Sequence, residues 1–315
     1  MERKIYLYTN ELLDILEGKW VVPPTCEIDL SNKCTLNCEF CLYASFRKEE
    51  GDNLPYNIYV SLLQGLLDQG VKSITFTGGG ESLCHPNAVD MIRFAKKSGF
   101  DLGLITNGVL LDKLPDSVLL DFKFIRISLD AATSETYKKV KGGNSFTRVM
   151  QNLSYLCGVK KTSGAVLPTI GISYVVCDHN NYEIQQAKTL AHSLGVDYIQ
   201  FKPAWVNGKL YELDIERGEN TYITNRYEAK DTLPCSVAGL IGIVSANGKM
   251  YFCCQHRGNK YYELGDLRKD TFATIWKRRK NIVPKIKECP RCRYMNYAEK
   301  FNNIPKMLIA HRNFL

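Results

Sequence analysis

The chain has 315 residues, 45% hydrophobic and 23% charged, which excludes a disordered protein and suits one large α/β domain with a small appendage. The formal net charge of +8 hints at nucleic acid or an acidic substrate, but anionic metal–sulfur centres would offset part of it, and a nucleic-acid partner is not expected. No run approaches the roughly 18 uninterrupted apolar residues of a membrane span, and MERKIYLYTNELLDILEGK has no apolar signal core, so a cytoplasmic protein without a membrane partner is expected.

Residues 1–24 read as an N-terminal extension. From residue 25 to about 203, short β-branched runs alternate with longer helical patterns. TCEIDLS reads as a strand and PYNIYVSLLQGLLDQG as an amphipathic helix stopped by Gly70. VKSITFTG is the next strand, and PNAVDMIRFAKKSG a helix with Pro at its start and Gly at its stop. LGLITNG, FIRISLD, TIGISYVV and VDYIQFKP follow as four further strands separated by helical segments. Strand–helix alternation of this kind implies parallel strands joined by right-handed crossovers. The fold class expected is therefore α/β, a partial (β/α)6 TIM-like barrel over residues 25–225, its strands buried on both faces.

Polar or Gly-rich residues follow each strand: SNKC, GGGES, TNG, Asp130, CDHN and PAW. In a barrel all of these lie on the C-terminal face, where active sites are built. After residue 203 the alternation stops. Residues 204–230 read as a linker or edge segment. Residues 226–300 read as a small C-terminal auxiliary domain with short strands and a helix around DTFATIWKRRK, and 301–315 as a tail whose NIPKMLIA packs back as a helix. The basic run Lys277-Arg278-Arg279-Lys280 reads as a solvated helix face.

Twelve cysteines at clustered short spacings point to metal rather than to a disulfide framework in a reducing compartment. Cys34, Cys38 and Cys41 form C-x3-C-x2-C on the loop after the first strand, so their thiolates can converge on one soft metal centre. Three thiolates leave one iron of a four-iron cluster without a protein ligand, and an open iron serves chemistry rather than electron storage. Structural zinc sites usually close to four ligands, and no nearby fourth ligand is evident. Cys235 and Cys253 (C-x12-G-x4-C through Gly248) with Cys289 and Cys292 (C-x2-C) can close a tetrahedral set. Ligand count alone leaves zinc and a 4Fe–4S cluster both open there.

CTLNCEFC, with Phe40 in the aromatic slot, resembles the signature of the radical S-adenosylmethionine (SAM) superfamily. TGGGES (77–82) resembles the family's Gly-Gly-Glu motif, except that Ser82 stands where Pro is usual. ITNG (105–108) and RISLD (126–130) resemble strand ends that contact SAM. The resemblance spans roughly residues 22–205, and its motifs occur in the family's order. It implies that Cys34, Cys38 and Cys41 hold a 4Fe–4S cluster whose free iron binds SAM. Gly78, Gly79, Gly80, Glu81, Thr106, Asn107, Ser128 and Asp130 would contact SAM, with Ser128 or Asp130 suited to its ribose or a sulfonium neighbour. It implies reductive cleavage of SAM to methionine and a 5′-deoxyadenosyl radical that removes a hydrogen atom from substrate, fed by an external one-electron reductant of flavodoxin or ferredoxin type. The second cysteine group with GDL…IW (265–276) resembles the SPASM extension in its shortened Twitch form. That resemblance implies an auxiliary 4Fe–4S cluster, fully ligated by Cys235, Cys253, Cys289 and Cys292, that takes or relays an electron.

Two substrate classes follow. The first is a small polar molecule (sugar, cyclitol or nucleoside-like), oxidised with the electron passed to the auxiliary cluster. The second is a ribosomal peptide, epimerised or cross-linked, although only some 20 residues precede the first strand, too few for a leader-binding domain in the same chain. Cys254 and Cys177 are candidate hydrogen-atom donors, as in radical SAM epimerases. Cys26 and Cys157 read as buried apolar residues, and Cys84 is unassigned. Lys202, Trp205 and His85 are pocket or rim candidates. A non-enzymatic metal scaffold or electron carrier would leave the SAM-contact motifs without a purpose.

Overall fold

The computed structural model describes residues 2–49, 53–206, 209–216, 218–224, 235–281, 292, 294–304 and 309. Its centre is a ten-stranded sheet. Six parallel strands in sequence order form the barrel portion: β1 (Thr25–Ile28), β2 (Ser73–Phe76), β3 (Asp101–Thr106), β4 (Phe122–Ser128), β5 (Thr169–Val176) and β6 (Tyr198–Pro203). Helices α1 (Thr9–Leu16) and α2 (Ala44–Glu49) flank the opening strand. The crossovers carry α3 (Tyr56–Gln69), α4 (Ala88–Lys97), α5 (Asp116–Leu119), α6 (Ser134–Lys141), α7 (Phe146–Thr162) and α8 (Ile184–Leu194). The architecture is α/β, a partial TIM-type barrel with a C-terminal domain.

Local chemistry sets these boundaries. Gly70 closes α3 at φ 82, a left-handed conformation that glycine adopts without steric cost. The Thr133 side chain accepts from the Thr136 N–H to cap α6. Strands β3, β5 and β6 are buried over nearly their whole length, as befits a parallel sheet covered by helices. On β1 and β2 buried residues alternate with half-buried ones.

The segment after β6 is an edge. A short hairpin, β7 (Trp205–Val206) with β8 (Lys209–Leu210), precedes β9 (Thr221–Ile223), which pairs parallel to β6. The boundary expected at 225/226 lies outside the described residues, as do Cys289 and most of NIPKMLIA. At the opposite edge β10 (Ile241–Val244) pairs parallel to β1, then β11 (Lys249–Tyr251) and β12 (Glu263–Asp266) continue the sheet antiparallel. The auxiliary segment thus shares its backbone ladder with the barrel. Helix α9 (Phe272–Lys277) packs on α3, and Trp276 Nε1 donates to the Val21 carbonyl at 2.9 Å. The N-terminal segment packs on the auxiliary part: Ile5 and Leu12 form a second core with Val237, Leu240, and Ala298 and Phe301 of α10 (Met295–Asn302).

Candidate active site

The C-terminal ends of β1, β2 and β3 are laced together by backbone contacts too close for side chains. A Cβ on Gly80 would lie 2.5 Å from the Ser31 and Lys33 carbonyl oxygens, and one on Gly78, at φ 139, 2.3 Å from the Asp29 carboxyl. The Glu81 N–H donates to the Lys33 carbonyl at 2.7 Å. The glycine strip therefore lies flat against the segment leading into Cys34, an approach that only residues without a side chain allow. The Glu81 carboxylate is buried and braces the strip: it accepts from Thr106 Oγ1 and the Asn107 N–H, each at 2.8 Å, and from the Leu83 N–H at 3.2 Å. Burial raises its pKa and these three donors oppose the rise. The Asn107 amide donates to Thr35 Oγ1 at 3.0 Å and approaches Cys34 Sγ at 3.7 Å, which puts Glu81, Thr106 and Asn107 beside the first cysteine. Ser128 is half-buried at the end of β4.

The cysteine loop is clamped to the end of α6. The Asn37 and Glu39 N–H groups donate to the Lys141 and Val140 carbonyls, both at 3.1 Å. Cys34, Cys38 and Cys41 are half-buried. Burial pushes the Cys34 and Cys38 thiols up, opposed at Cys38 by the Lys141 ammonium; a bound metal must overcome that preference for the thiol. Asp130, which the resemblance places near SAM, has protein partners at both carboxylate oxygens. It sits at φ 59, only 1% exposed; one carboxylate oxygen pairs with Lys141 (3% exposed) and the other accepts from the Val175 N–H. Burial works against the Lys141 charge, yet Asp130 and Cys38 hold its pKa above the ordinary lysine value. Asp130 thus secures a buried cation beside Cys38, a role that no local motif signals.

Cys235, Cys253 and Cys292 line one cavity with Cys254, its walls including Val237, Ala238, Ile241, Ile243, Phe252 and Met295. Burial pushes the Cys235 and Cys253 thiols up. The basic run 277–280 is not uniformly a solvated face. Arg279 turns inward, donates from Nη2 to the Cys235 carbonyl at 3.1 Å, and lies over the Phe252 ring (5.0 Å) and the Trp276 ring (5.7 Å). Burial lowers its pKa to about 10, against the pull of Cys235 and Cys253.

Arg257 was also missed, because nothing near it in sequence predicts its partners. Its guanidinium, 2% exposed, pairs with Glu27 and with the fully buried Asp29, at 2.9 Å in each case. Asp29 in turn accepts from the Gly79 N–H at 3.1 Å. Arg257 also donates to the Cys254 carbonyl at 3.0 Å, where the Tyr43 hydroxyl donates at 2.7 Å. Burial raises the Asp29 pKa to about 6, although Arg257 and the Gly79 N–H pull it down.

Other candidates separate. Cys177 is buried against Val140 and Ala204, with Phe40 of the cysteine loop packed on the same group. Both His85 nitrogens are engaged, Nε2 donating to the Leu54 carbonyl and Nδ1 accepting from the Asn87 N–H, so His85 is a structural residue rather than a pocket base. Cys26 is core, as expected; Cys157 is half-buried against the core. Lys202 is half-buried within β6 and Trp205 half-buried at the start of β7.

Among the described residues no three His, Cys, Asp or Glu side chains are close enough to hold a single metal ion. A cubane spreads its ligands wider than one ion does. The donor chemistry of the thiols fits iron–sulfur clusters at both cysteine groups.

The Radical SAM superfamily profile matches residues 28–187, and SPASM, an iron–sulfur cluster-binding domain, matches 235–293. A tungsten-containing aldehyde ferredoxin oxidoreductase cofactor-modifying protein of Pyrococcus furiosus is 25% identical over 79% of each chain. A probable GTP 3′,8-cyclase of Saccharolobus islandicus is 31% identical over 55% of this chain, which spans only 54% of that relative. Streptococcus suis SuiB bound to precursor peptide SuiA shares the fold at TM-score 0.64 and 15% identity, covering 81% of this chain and 64% of SuiB. Native anSMEcpe with bound AdoMet does so at TM-score 0.60 and 14% identity, covering 93% of this chain and all of that one (100%). With the superfamily match spanning the barrel and the cluster-binding match following it, this chain belongs to the radical SAM superfamily, as an enzyme that uses SAM and 4Fe–4S clusters and carries a SPASM domain.

Proposed function

We propose that the chain oxidises a small polar substrate, a sugar, cyclitol or nucleoside-like molecule, at a C–H bond, and that Cys34, Cys38 and Cys41 hold the SAM-binding cluster while Cys235, Cys253, Cys289 and Cys292 hold the auxiliary one. The observation that carries this reading is the apolar cavity around Cys235, Cys253 and Cys292. Cys289 lies outside the described residues; with it as fourth ligand the cluster would have no iron corner left for substrate, and the site would suit an electron rather than a ligand. When bound, the two clusters and SAM supply a 5′-deoxyadenosyl radical for hydrogen abstraction and an acceptor for the electron that the substrate radical sheds with a proton.

The protein's own part is positional. The Gly78–Gly80 main chain would receive the amino-acid part of SAM, Glu81 holds that strip to Thr106 and Asn107, and Ser128 at the end of β4 would serve its nucleoside part. Lys141 offsets negative charge beside Cys38, secured by Asp130. The packed ends of β1–β3 exclude water and fix the distance between reacting atoms. An external one-electron reductant of flavodoxin or ferredoxin type starts each turnover.

A second reading is favoured by the fold shared with SuiB, a chain solved with its precursor peptide: a peptide substrate, epimerised with Cys254 or Cys177 as hydrogen donor. Anaerobically reconstituted protein given SAM and dithionite separates the two. Oxidation consumes one SAM per product and moves substrate deuterium into 5′-deoxyadenosine, giving a product two electrons more oxidised. Epimerisation instead places one solvent deuterium in an unoxidised product and stops in the Cys254→Ala or Cys177→Ala protein. Absence of 5′-deoxyadenosine under any condition would overturn both.

A further inference from the structure

Arg279 belongs by sequence to a basic run at the surface, yet its guanidinium lies inside, between the Cys235 carbonyl and the rings of Phe252 and Trp276. The fold makes room for it: a Cβ on Gly239 would lie 3.0 Å from its Cζ and Nη2. Its Nε is buried and has no hydrogen-bond partner among the described residues. A buried N–H left over is costly unless something accepts from it. Phe252 and Cys253 are consecutive in sequence, so the ring beneath the cation and one cluster ligand sit on the same turn, while the carbonyl it binds belongs to another ligand, Cys235. A cation held this way is desolvated and acts on its neighbours through a low-dielectric path.

We propose that Arg279 is an electrostatic positioning residue of the auxiliary cluster, its fixed positive charge and spare Nε–H serving to raise that cluster's reduction potential so that it accepts an electron from the substrate radical. Net charge and hydrogen bonds to sulfur are among the factors that set such potentials. A nearby positive charge favours the more negative, reduced form. Removing it lowers the potential. Lys141, at the end of α6 beside Cys38, places a separate cation at the other cysteine group, so the two potentials can be set independently. The inference rests on the ligand assignment proposed above.

The test is a mediated redox titration of the full-length reconstituted protein, followed by EPR with and without SAM. Adding SAM perturbs the signal of the cluster that binds it; the SAM-insensitive signal belongs to the auxiliary cluster. Arg279→Gln keeps a donor to the Cys235 carbonyl but removes the charge; Arg279→Lys keeps the charge. The expected result is that Arg279→Gln weakens reduction of the auxiliary cluster about tenfold, a fall of about 59 mV for one electron, while Arg279→Lys stays near wild type and the SAM-sensitive signal moves in neither. An unshifted auxiliary potential in Arg279→Gln with both clusters present overturns the inference. Should Arg279→Gln lose its auxiliary irons, Arg279→Lys decides: irons retained at the wild-type potential support a need for charge, and irons lost refute it. Wild-type protein with about four irons rather than about eight would instead overturn the underlying ligand assignment, a distinct outcome.

Discussion

The Tyr43 hydroxyl donates a 2.7 Å hydrogen bond to the Cys254 carbonyl, joining the loop after Cys41 to the loop that begins at Cys253. Arg257 reinforces the joint: it donates to that same carbonyl and to the Tyr43 hydroxyl, at 3.0 and 3.1 Å, and lies over the Tyr43 ring. Through Asp29 it reaches Gly79. The two cysteine loops and the glycine strip are therefore one connected polar network.

Removing the cation at its centre should be severe. Arg257→Leu leaves Asp29 and Glu27 facing each other without their shared partner, and breaking a buried pair from one side costs about 3–5 kcal/mol. Tyr43→Phe leaves the Cys254 carbonyl still bonded to Arg257 and should cost only about 1 kcal/mol. Urea denaturation of the two variants measures the contrast, and adding Asp29→Asn to Arg257→Leu should recover part of the loss.

Asp29 should give folding stability a pH dependence in the acid range. Its folded pKa of about 6 exceeds the ordinary aspartate value of about 3.9, so the folded state binds the proton more tightly. The stability this group contributes is fully present below about pH 3.9 and is lost as pH rises through about 6, with no further change above. The difference in unfolding free energy between wild type and Asp29→Asn, followed from pH 4 to 7.5, should change across that window and be flat beyond it.

The glycine strip admits a steric test. A Cβ at Gly80 meets backbone of residues 31–33 at 2.5 Å, atoms that cannot rotate away as a side-chain end can. Gly80→Ala should therefore push the strip off the cysteine loop at a cost of about 1–3 kcal/mol. If that shift is felt at the ligand, SAM affinity falls about tenfold per 1.4 kcal/mol. Equilibrium binding of SAM to the reconstituted variant reads it.

The two cysteine groups should fail differently. Cys38→Ala should lose about four of about eight irons together with all 5′-deoxyadenosine formation. Cys253→Ala should lose a similar amount of iron while still cleaving SAM with dithionite, though without oxidised product. Iron analysis and product chromatography on the same samples distinguish the two.

The local sequence determined the barrel strands, the helix stops and the first cysteine centre. Each rests on neighbours a few residues apart: the β-branched run at 169–176, glycine in the left-handed turn after α3, three thiols within eight residues. The tertiary structure alone decided what distant residues do to one another. Pairing of β10 with β1 joins Ile241 to Thr25, and that contact carries Arg257 to Asp29. The return of α9 over α3 sets Trp276 beneath Arg279, whose guanidinium reaches the Cys235 carbonyl. No local pattern pairs Asp130 with Lys141; the completed fold buries them together beside Cys38. Periodicity and spacing record what the backbone does within a turn or two, whereas the burial of a charge depends on which surfaces the completed sheet brings against it.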